Sequence, residues 1–424
     1  MERNMGNVIR RWLAPVRNSR VSRFMLFSAI FHIGLFGITD VILNFYFTSL
    51  GHSAETIGML QSLPRIGGLV VSLPVGIIAT RFGPYRIILY STIGIAAALI
   101  LPLAVPALPA LAVSRFLIGL FYGGQQIATN PFMGNLVTSE QQPFLFSYHN
   151  VITMVATAFG SFVGGFLPTL AVSLLGLPPA QDSAHSTAAY AAALFTGMVV
   201  VLLCLLPLFR VSESSSALAA THTRQALRSF PWRRLLLMAT PMLFFGFTGG
   251  LTFPFYNLFF RETFGVSDEV VGTILGIGWI GMGLVPLLNP YLDRRFGRAA
   301  ALFITLTTAA VAFFALSFAP TLPLSVIAFV IACSARNTMQ PLFQPLVMAN
   351  LPAHIHNMAS SVGFVVWNIG WFCATSLSGF LKAAQGFDFI MQVVAVGVLL
   401  TGVSVMLVFR QTPLAASPIH EVQI

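Results

Sequence analysis

The sequence predicts an all-α membrane protein of twelve transmembrane helices, arranged as two pseudo-symmetric six-helix halves. Three observations lead there. Hydrophobic residues make up 56% of the chain and charged residues 8%, with mean hydropathy +0.85, whereas a soluble domain carries about 25% charged residues. Apolar runs of about 20 residues recur along the chain, the length a helix needs to cross a bilayer; barrel strands would alternate over about 10. The second half also echoes the first at a spacing of 214 residues. Gly51–Gly83 aligns with Gly265–Gly297 without a gap, and the shared positions include Gly51/Gly265, Ser53/Ser267, Glu55/Glu269, Gly58/Gly272, Arg81/Arg295 and Gly83/Gly297. Shared turn residues and charges carry this repeat, because apolar segments resemble one another by chance.

The first helix, Arg23–Leu50, comes after a basic segment (1–22). That segment resembles the start of a signal peptide, but spanning length and the lack of a small-residue cleavage site make this an uncleaved helix. The second, Glu55–Thr80, starts with Ser53 as N-cap and Glu55 in the first turn, where the helix dipole favours an acid. Arg86–Val105 and Leu108–Phe132 are separated only by Pro106–Pro109, and Phe144–Leu175 and Ser186–Phe209 complete a bundle over residues 23–210. A polar stretch rich in serine, 211–233, reads as a linker.

The second bundle, residues 234–410, repeats the pattern with Arg234–Phe260, Asp268–Leu292, Ala299–Phe318, Leu322–Asn350, Asn357–Ala383 and Phe389–Phe409. Pro254 is expected to kink its first helix, and residues 411–424 form a tail. With the N-terminus inside, 17 of the 22 basic residues fall on the inner side and only Arg261 and Lys382 fall outside. Both termini are therefore expected in the cytoplasm, in a plasma or inner membrane.

Two loops carry a family resemblance. Gly76-Ile-Ile-Ala-Thr-Arg81-Phe82-Gly83-Pro84-Tyr85-Arg86 resembles the signature loop of the major facilitator superfamily, with Thr80 where the family usually has aspartate. Its counterpart is Asp293-Arg294-Arg295-Phe296-Gly297-Arg298, whose acid stands one place early. In the fourth helix, Arg115-Phe-Leu-Ile-Gly119 resembles the family's Arg-x-x-Gln-Gly motif, with Ile118 replacing glutamine. The resemblance implies a cavity lined by helices one, four, seven and ten, and signature loops (Gly76, Arg81, Gly83, Asp293, Arg295, Gly297) that control its state. It implies a monomer that moves a small molecule, without a cofactor.

Charge inside a membrane span costs about 2.5–3.5 kcal/mol on insertion scales, so such residues mark function. Four lie well inside spans: Asp40, Arg65, Arg115 and Arg336. At about 1.5 Å per residue, the first three sit roughly 10–15 Å from the outer helix ends, at similar depth. Asp40 is the sole acid among them. Two roles stay open for it: a structural bridge to Arg65 or Arg115, and a site that exchanges protons. Asn44 shares its helix face. By the resemblance, Asp40, Arg115 and Arg336 face the cavity, as do Tyr256 and Asn257 beyond Pro254. The four charges sum to +2, which suits an anionic or polar neutral substrate, while 39 phenylalanines leave efflux of hydrophobic compounds as the alternative.

His32, His149 and the pair Trp367/Trp371 read first as packing residues. The glycine spacings Gly160/Gly164 and Gly272/Gly276 predict close helix approach; by the resemblance helices five and eight meet at the seam, which would make these glycines rocking surfaces, and ordinary tight packing is the other reading. Cys204, Cys333 and Cys373 have no metal or disulfide spacing. Basic residues placed by orientation do not argue for nucleic acid, and the lipid bilayer is the expected surrounding. No Walker sequence, filter sequence or acid–base cluster supports a pump, a channel or an enzyme; His354 and His356 lack nearby acids.

Overall fold

The structure is a computed structural model that describes residues 18–138, 140–177, 185–211, 232–351 and 356–409. Most of the expected N-terminal segment, linker and C-terminal tail therefore lie outside the described residues, as does His354. Every regular element among the described residues is helical.

The first half contains α1 (Ser19–Ser49), α2 (Ala54–Phe82), α3 (Pro84–Ala104), α4 (Leu108–Gly134), α5 (Gln142–Leu175) and α6 (Thr187–Phe209). The second half begins with α7, whose parts Trp232–Thr252 and Tyr256–Phe264 are joined by a 3-10 turn at Phe253–Phe255. It continues with α8 (Asp268–Phe296), α9 (Arg298–Leu316) and α10 (Leu322–Ala349). The stretch His356–Phe409 is helical except at Gly386 (φ 78, ψ −178), where it folds back. An added Cβ at Gly370, before that point, would meet Leu243 and Phe247, and one at Gly397, after it, would meet Thr248. The two arms are α11 and α12.

Nine stretches among the described residues are long and apolar enough to cross a membrane. One contains both α11 and α12, and the charged helices α2 and α4 have spanning length as well. The set is consistent with twelve spans in an integral, multi-pass membrane protein. Two of the breaks within the spans coincide with proline. The kink expected at Pro254 is the 3-10 turn of α7, and Pro286 sits in a second 3-10 turn, Val285–Leu288, inside α8. Proline lacks the N–H that an α-helix would need there. Ile33–Thr39 in α1 is π-helical, and the Asp40 amide bonds back to the Leu35 carbonyl.

The repeat survives as backbone geometry. Gly83 and Gly297 share φ 78 and ψ 155, a combination that only glycine adopts without strain. At the helix starts, the amide of Thr56 reaches Ser53 Oγ at 3.5 Å. Ser267 occupies the equivalent N-cap position without a side-chain cap bond.

Two ends can be distinguished. The near end carries the start of α1 and the end of α6, tied by Arg23 Nη1 donating to the Arg210 carbonyl at 2.6 Å. The far end carries the turns at Gly51 and Gly265. Packing differs between them. Val41, Ile42 and Phe45, in the far part of α1, share an apolar core with Phe255, Phe259 and Phe260 of α7. Val21, Phe24 and Phe27, in its near part, pack with Ile88, Ile95 and Phe132 of the first half. The halves thus close on one another at the far end.

Glycine makes that closure tight. A Cβ on Gly165 of α5 would lie 2.5 Å from the Asp268 carbonyl, and one on Gly272 of α8 would lie 2.4 Å from the Ser161 carbonyl. A Cβ on Gly379 of α11 would lie 2.2 Å from the Ala54 carbonyl of α2. Helices five and eight do meet at the seam, but Gly160 and Gly164 face α1 instead, against Gly37 and Ile38. On α5 the seam runs one residue further round the helix.

Candidate functional site

A cavity of about 220 Å³ lies between the halves, floored by the far-end contacts and extending towards the near end as far as Gln126 and Phe364. Its two walls differ in chemistry. The first half contributes Asp40, Gln61, Arg65, Arg115 and Tyr122, and the second contributes Phe253, Tyr256, Trp279, Phe329 and Trp371, with Asn257 and Asn368.

The π turn sets Asp40 facing this space, and the residue is exposed there. Its carboxylate makes no hydrogen bond or ion pair among the described residues. Arg115 and Arg65 are the cations whose fields reach it. The ion pair that sequence reasoning allowed between Asp40 and either arginine is therefore absent from this conformation, because both guanidinium groups are held elsewhere. Arg115 is 7% exposed and donates to Gln61 Oε1. Arg65 lies over two indoles of α11, with its guanidinium carbon 4.2 Å from the Trp371 ring and 4.9 Å from the Trp367 ring. A cation over an aromatic face gains about 0.5–2 kcal/mol.

The floor is a row of amides. Gln61 Nε2 donates to Asn44 Oδ1 at 2.5 Å, and Asn44 Nδ2 donates to Asn257 Oδ1 at 2.9 Å and to the Pro254 carbonyl at 2.5 Å. Asn257 Nδ2 donates to the Val41 carbonyl at 2.8 Å. The 3-10 turn releases the Pro254 carbonyl from the helical ladder, which lets a side chain from the other half take it. Tyr256 sends its hydroxyl away from the floor, to Thr252 Oγ1 at 3.0 Å.

Beyond the floor, an ionic cluster covers the far end. Asp268, with a fully buried side chain, accepts from Arg261 and lies 2.9 Å from His185 Nδ1. Arg261 Nη2 also donates to Tyr190 at 2.5 Å. Thr169 donates to Glu269 across the same seam.

Of the residues singled out in the sequence, Asp40, Arg65, Arg115, Tyr256 and Asn257 line the cavity, and Asn44 stands just behind it. Arg336 does not line it. Its Nη2 donates to the Phe245 carbonyl of α7 at 2.5 Å, and its guanidinium stacks 4.0 Å from the Phe245 ring. Depth along a helix says nothing about rotation about its axis, and α10 turns this residue towards α7. Of the signature-loop residues, Gly83 and Gly297 form the paired turns. Asp293 bonds Arg298 Nη2 at 2.9 Å across Gly297, while Arg295 is exposed. Gly76 and Arg81 fall within α2, and the Arg81 side chain lies outside what is described.

Gln61, Tyr122, Trp279 and Asn368 were missed. Gln61 had a signal, since it stands one helical turn before Arg65. His32 and His149 stay outside the lining and share Ser28, whose carbonyl lies 2.8 Å from His32 Nδ1 and whose hydroxyl lies 3.1 Å from His149 Nε2.

The Major Facilitator Superfamily family model matches residues 25–375 and 238–422 of the chain. The chain belongs to the major facilitator superfamily. Among superfamily structures, a mutant form of the nucleoside transporter NupG is similar over 91% of this chain and 99% of its own, with TM-score 0.74 and 15% identity. A D-xylose–proton symporter is similar over 93% and 97%, with TM-score 0.73 and 14% identity. The niacin transporter NiaP of Acinetobacter baylyi is 32% identical over 111 residues, 26% of this chain. That match spans only 25% of the relative's length. Superfamily membership accounts for a central cavity between two related halves.

Proposed function

We propose that the chain is a secondary carrier for a small organic solute, working by alternating access, with Asp40 exchanging a proton as the cavity changes sides. The Asp40 carboxylate, without a bond among the described residues and in a cavity between two halves whose described hydrogen bonds to each other lie at the far end, carries this reading. In an apolar setting a carboxylate without a partner favours the protonated form, and near arginine it favours the ionised form. Motion of the halves changes both influences together.

In this reading residues 23–210 and 234–410 rock as two bodies joined by the linker 211–233. The termini, 1–22 and 411–424, lie in the cytoplasm of a cell membrane. The far end is then the outer end, and the conformation faces inward. One chain encloses the cavity, which supports a monomer. The superfamily relatives named above carry niacin, a nucleoside or D-xylose, the last with a proton, which supports a small polar or anionic solute here. The wall of Phe253, Trp279 and Phe329 favours a second reading, export of hydrophobic compounds.

Reconstituted vesicles test both. Asp40→Asn is expected to abolish accumulation driven by a pH gradient while sparing exchange of labelled for unlabelled substrate. If the asparagine variant still accumulates substrate in response to pH, Asp40 is structural. Movement of hydrophobic cations with no uptake of polar solutes favours the export reading.

A further inference from the structure

The cavity pairs a guanidinium that makes no hydrogen bond among the described residues with an aromatic wall, and the pairing points to a chemical class of substrate. Trp371 and Trp367 hold the Arg65 guanidinium carbon at 4.2 and 4.9 Å from their ring centroids, and its N–H groups make no hydrogen bond among the described residues. The edge of that guanidinium is a fork matched to the two oxygens of a carboxylate. Beside it runs a continuous aromatic surface. Phe253 lies 5.8 Å from Trp371 and 5.3 Å from Trp279, centroid to centroid, and Tyr256 lies 4.8 Å from Phe329. A dry apolar cavity of about 150 Å³ already admits a benzene ring, so the space here takes one ring with a carboxylate attached.

Charge supplies a second, independent constraint. With Asp40 ionised, Asp40, Arg65 and Arg115 sum to +1; with Asp40 protonated they sum to +2. The groups that face Asp40 are these two arginines and Tyr122 from its own half, with Tyr256 lining the opposite wall. None of them supplies a replacement anion. An incoming carboxylate therefore favours protonation of Asp40, and by linkage protonation of Asp40 favours the carboxylate equally. The proton is taken from hydronium or buffer acid in bulk solution and bonds to a carboxylate oxygen of Asp40, leaving water or the buffer base behind.

We propose that the cavity selects a planar aromatic monocarboxylate, held by Arg65 through its carboxylate and by Trp279 and Phe253 through its ring, and that binding takes up one proton at Asp40. This rests on the carrier reading for its biological sense, but not for its test.

Binding to the purified full-length protein is measured by calorimetry with benzoate, nicotinate, benzamide, cyclohexanecarboxylate and phenylalanine. Benzoate or nicotinate is expected to bind at least about tenfold more tightly than benzamide and than cyclohexanecarboxylate. Affinity should rise from about pH 8 to about pH 6, by at most about tenfold per unit for one proton. Arg65→Gln should lose at least tenfold, and Trp279→Leu should bring benzoate down to cyclohexanecarboxylate. If Arg65→Gln does not fold, Arg65→Lys keeps the charge without the fork and should lie between the two.

Equal binding of benzamide and benzoate overturns the proposal. So does preferred binding of phenylalanine with affinity that rises with pH, the signature of a zwitterion on ionised Asp40. Uptake of benzoate into vesicles separates the two readings. Binding without transport removes the carrier and keeps the site, whereas pH-driven transport of another solute, without benzoate binding, removes this substrate class and keeps the carrier.

Discussion

Asn44 Nδ2 lies 2.9 Å from Asn257 Oδ1, so one asparagine from each half joins the two at the floor of the cavity. The positions stand 213 residues apart, one short of the repeat spacing. Gln61 extends the row to Arg115 on one side. A change at the Arg115 end is thereby connected to the seam through two amides.

Asn44→Ala and Asn257→Ala each leave buried amide groups without partners, and each is expected to lower stability by about 1–3 kcal/mol. The double variant should lose less than the sum, with a coupling of about 0.5–3 kcal/mol between residues in direct contact. Thermal unfolding of the purified protein and its three variants measures this. Strictly additive losses contradict the bond across the seam.

The far-end cluster should hold the closed state mainly through Asp268. Removing its charge takes the acidic partner from Arg261, which is 10% exposed, and breaking a buried ion pair costs about 3–5 kcal/mol. Asp268→Asn should therefore lengthen the mean distance between spin labels at positions 53 and 267. His185→Gln, which leaves the Arg261 contact in place, should change that distance little. The opposite ranking would mean that His185, and not Arg261, carries the latch.

Gly83 and Gly297 should resist any side chain. At φ 78 and ψ 155, a region essentially reserved for glycine, a residue with a Cβ is strained by about 1–3 kcal/mol, and a β-branched one is worse. Gly83→Val and Gly297→Val are expected to insert normally and to slow transport, read as membrane abundance against uptake. Normal uptake by both removes these turns from the transport cycle.

The spans, the repeat and most of the cavity were legible in the sequence because each rests on one-dimensional facts: length, spacing and the rarity of charge in apolar runs. Rotation about the helix axis was not. Arg336 stands on a helix that the resemblance puts at the cavity but points towards α7, and Gly160, placed by its spacing at a close helix contact, makes that contact with α1 while Gly165 takes the seam. One residue turns an α-helix by about 100°, and the π turn in α1 and the 3-10 turns in α7 and α8 each shift the helical phase of the residues beyond them. Trp279 and Asn368 lie beyond such reasoning for the same reason. They carry no charge to mark them, and only folding brings them opposite Asp40.

The π turn at Ile33–Thr39 has a consequence for how Asp40 could be moved. A π turn is equivalent to one surplus residue accommodated within a helix. Thr39 holds it with a bond from Oγ1 to the Gly34 carbonyl at 2.8 Å, while Gly37 and Gly160 pack too closely to admit a Cβ. If the surplus residue migrated along α1, each side chain it passed would rotate about the axis while both helix ends stayed where they were. The carboxylate would swing by roughly a quarter-turn on a fixed shaft. Deleting Ile33 removes the surplus; accessibility of a cysteine at position 40 to a thiol reagent, before and after the deletion, reads the rotation directly. An unchanged rate shows that Asp40 takes its direction from its neighbours and not from the winding of its own helix.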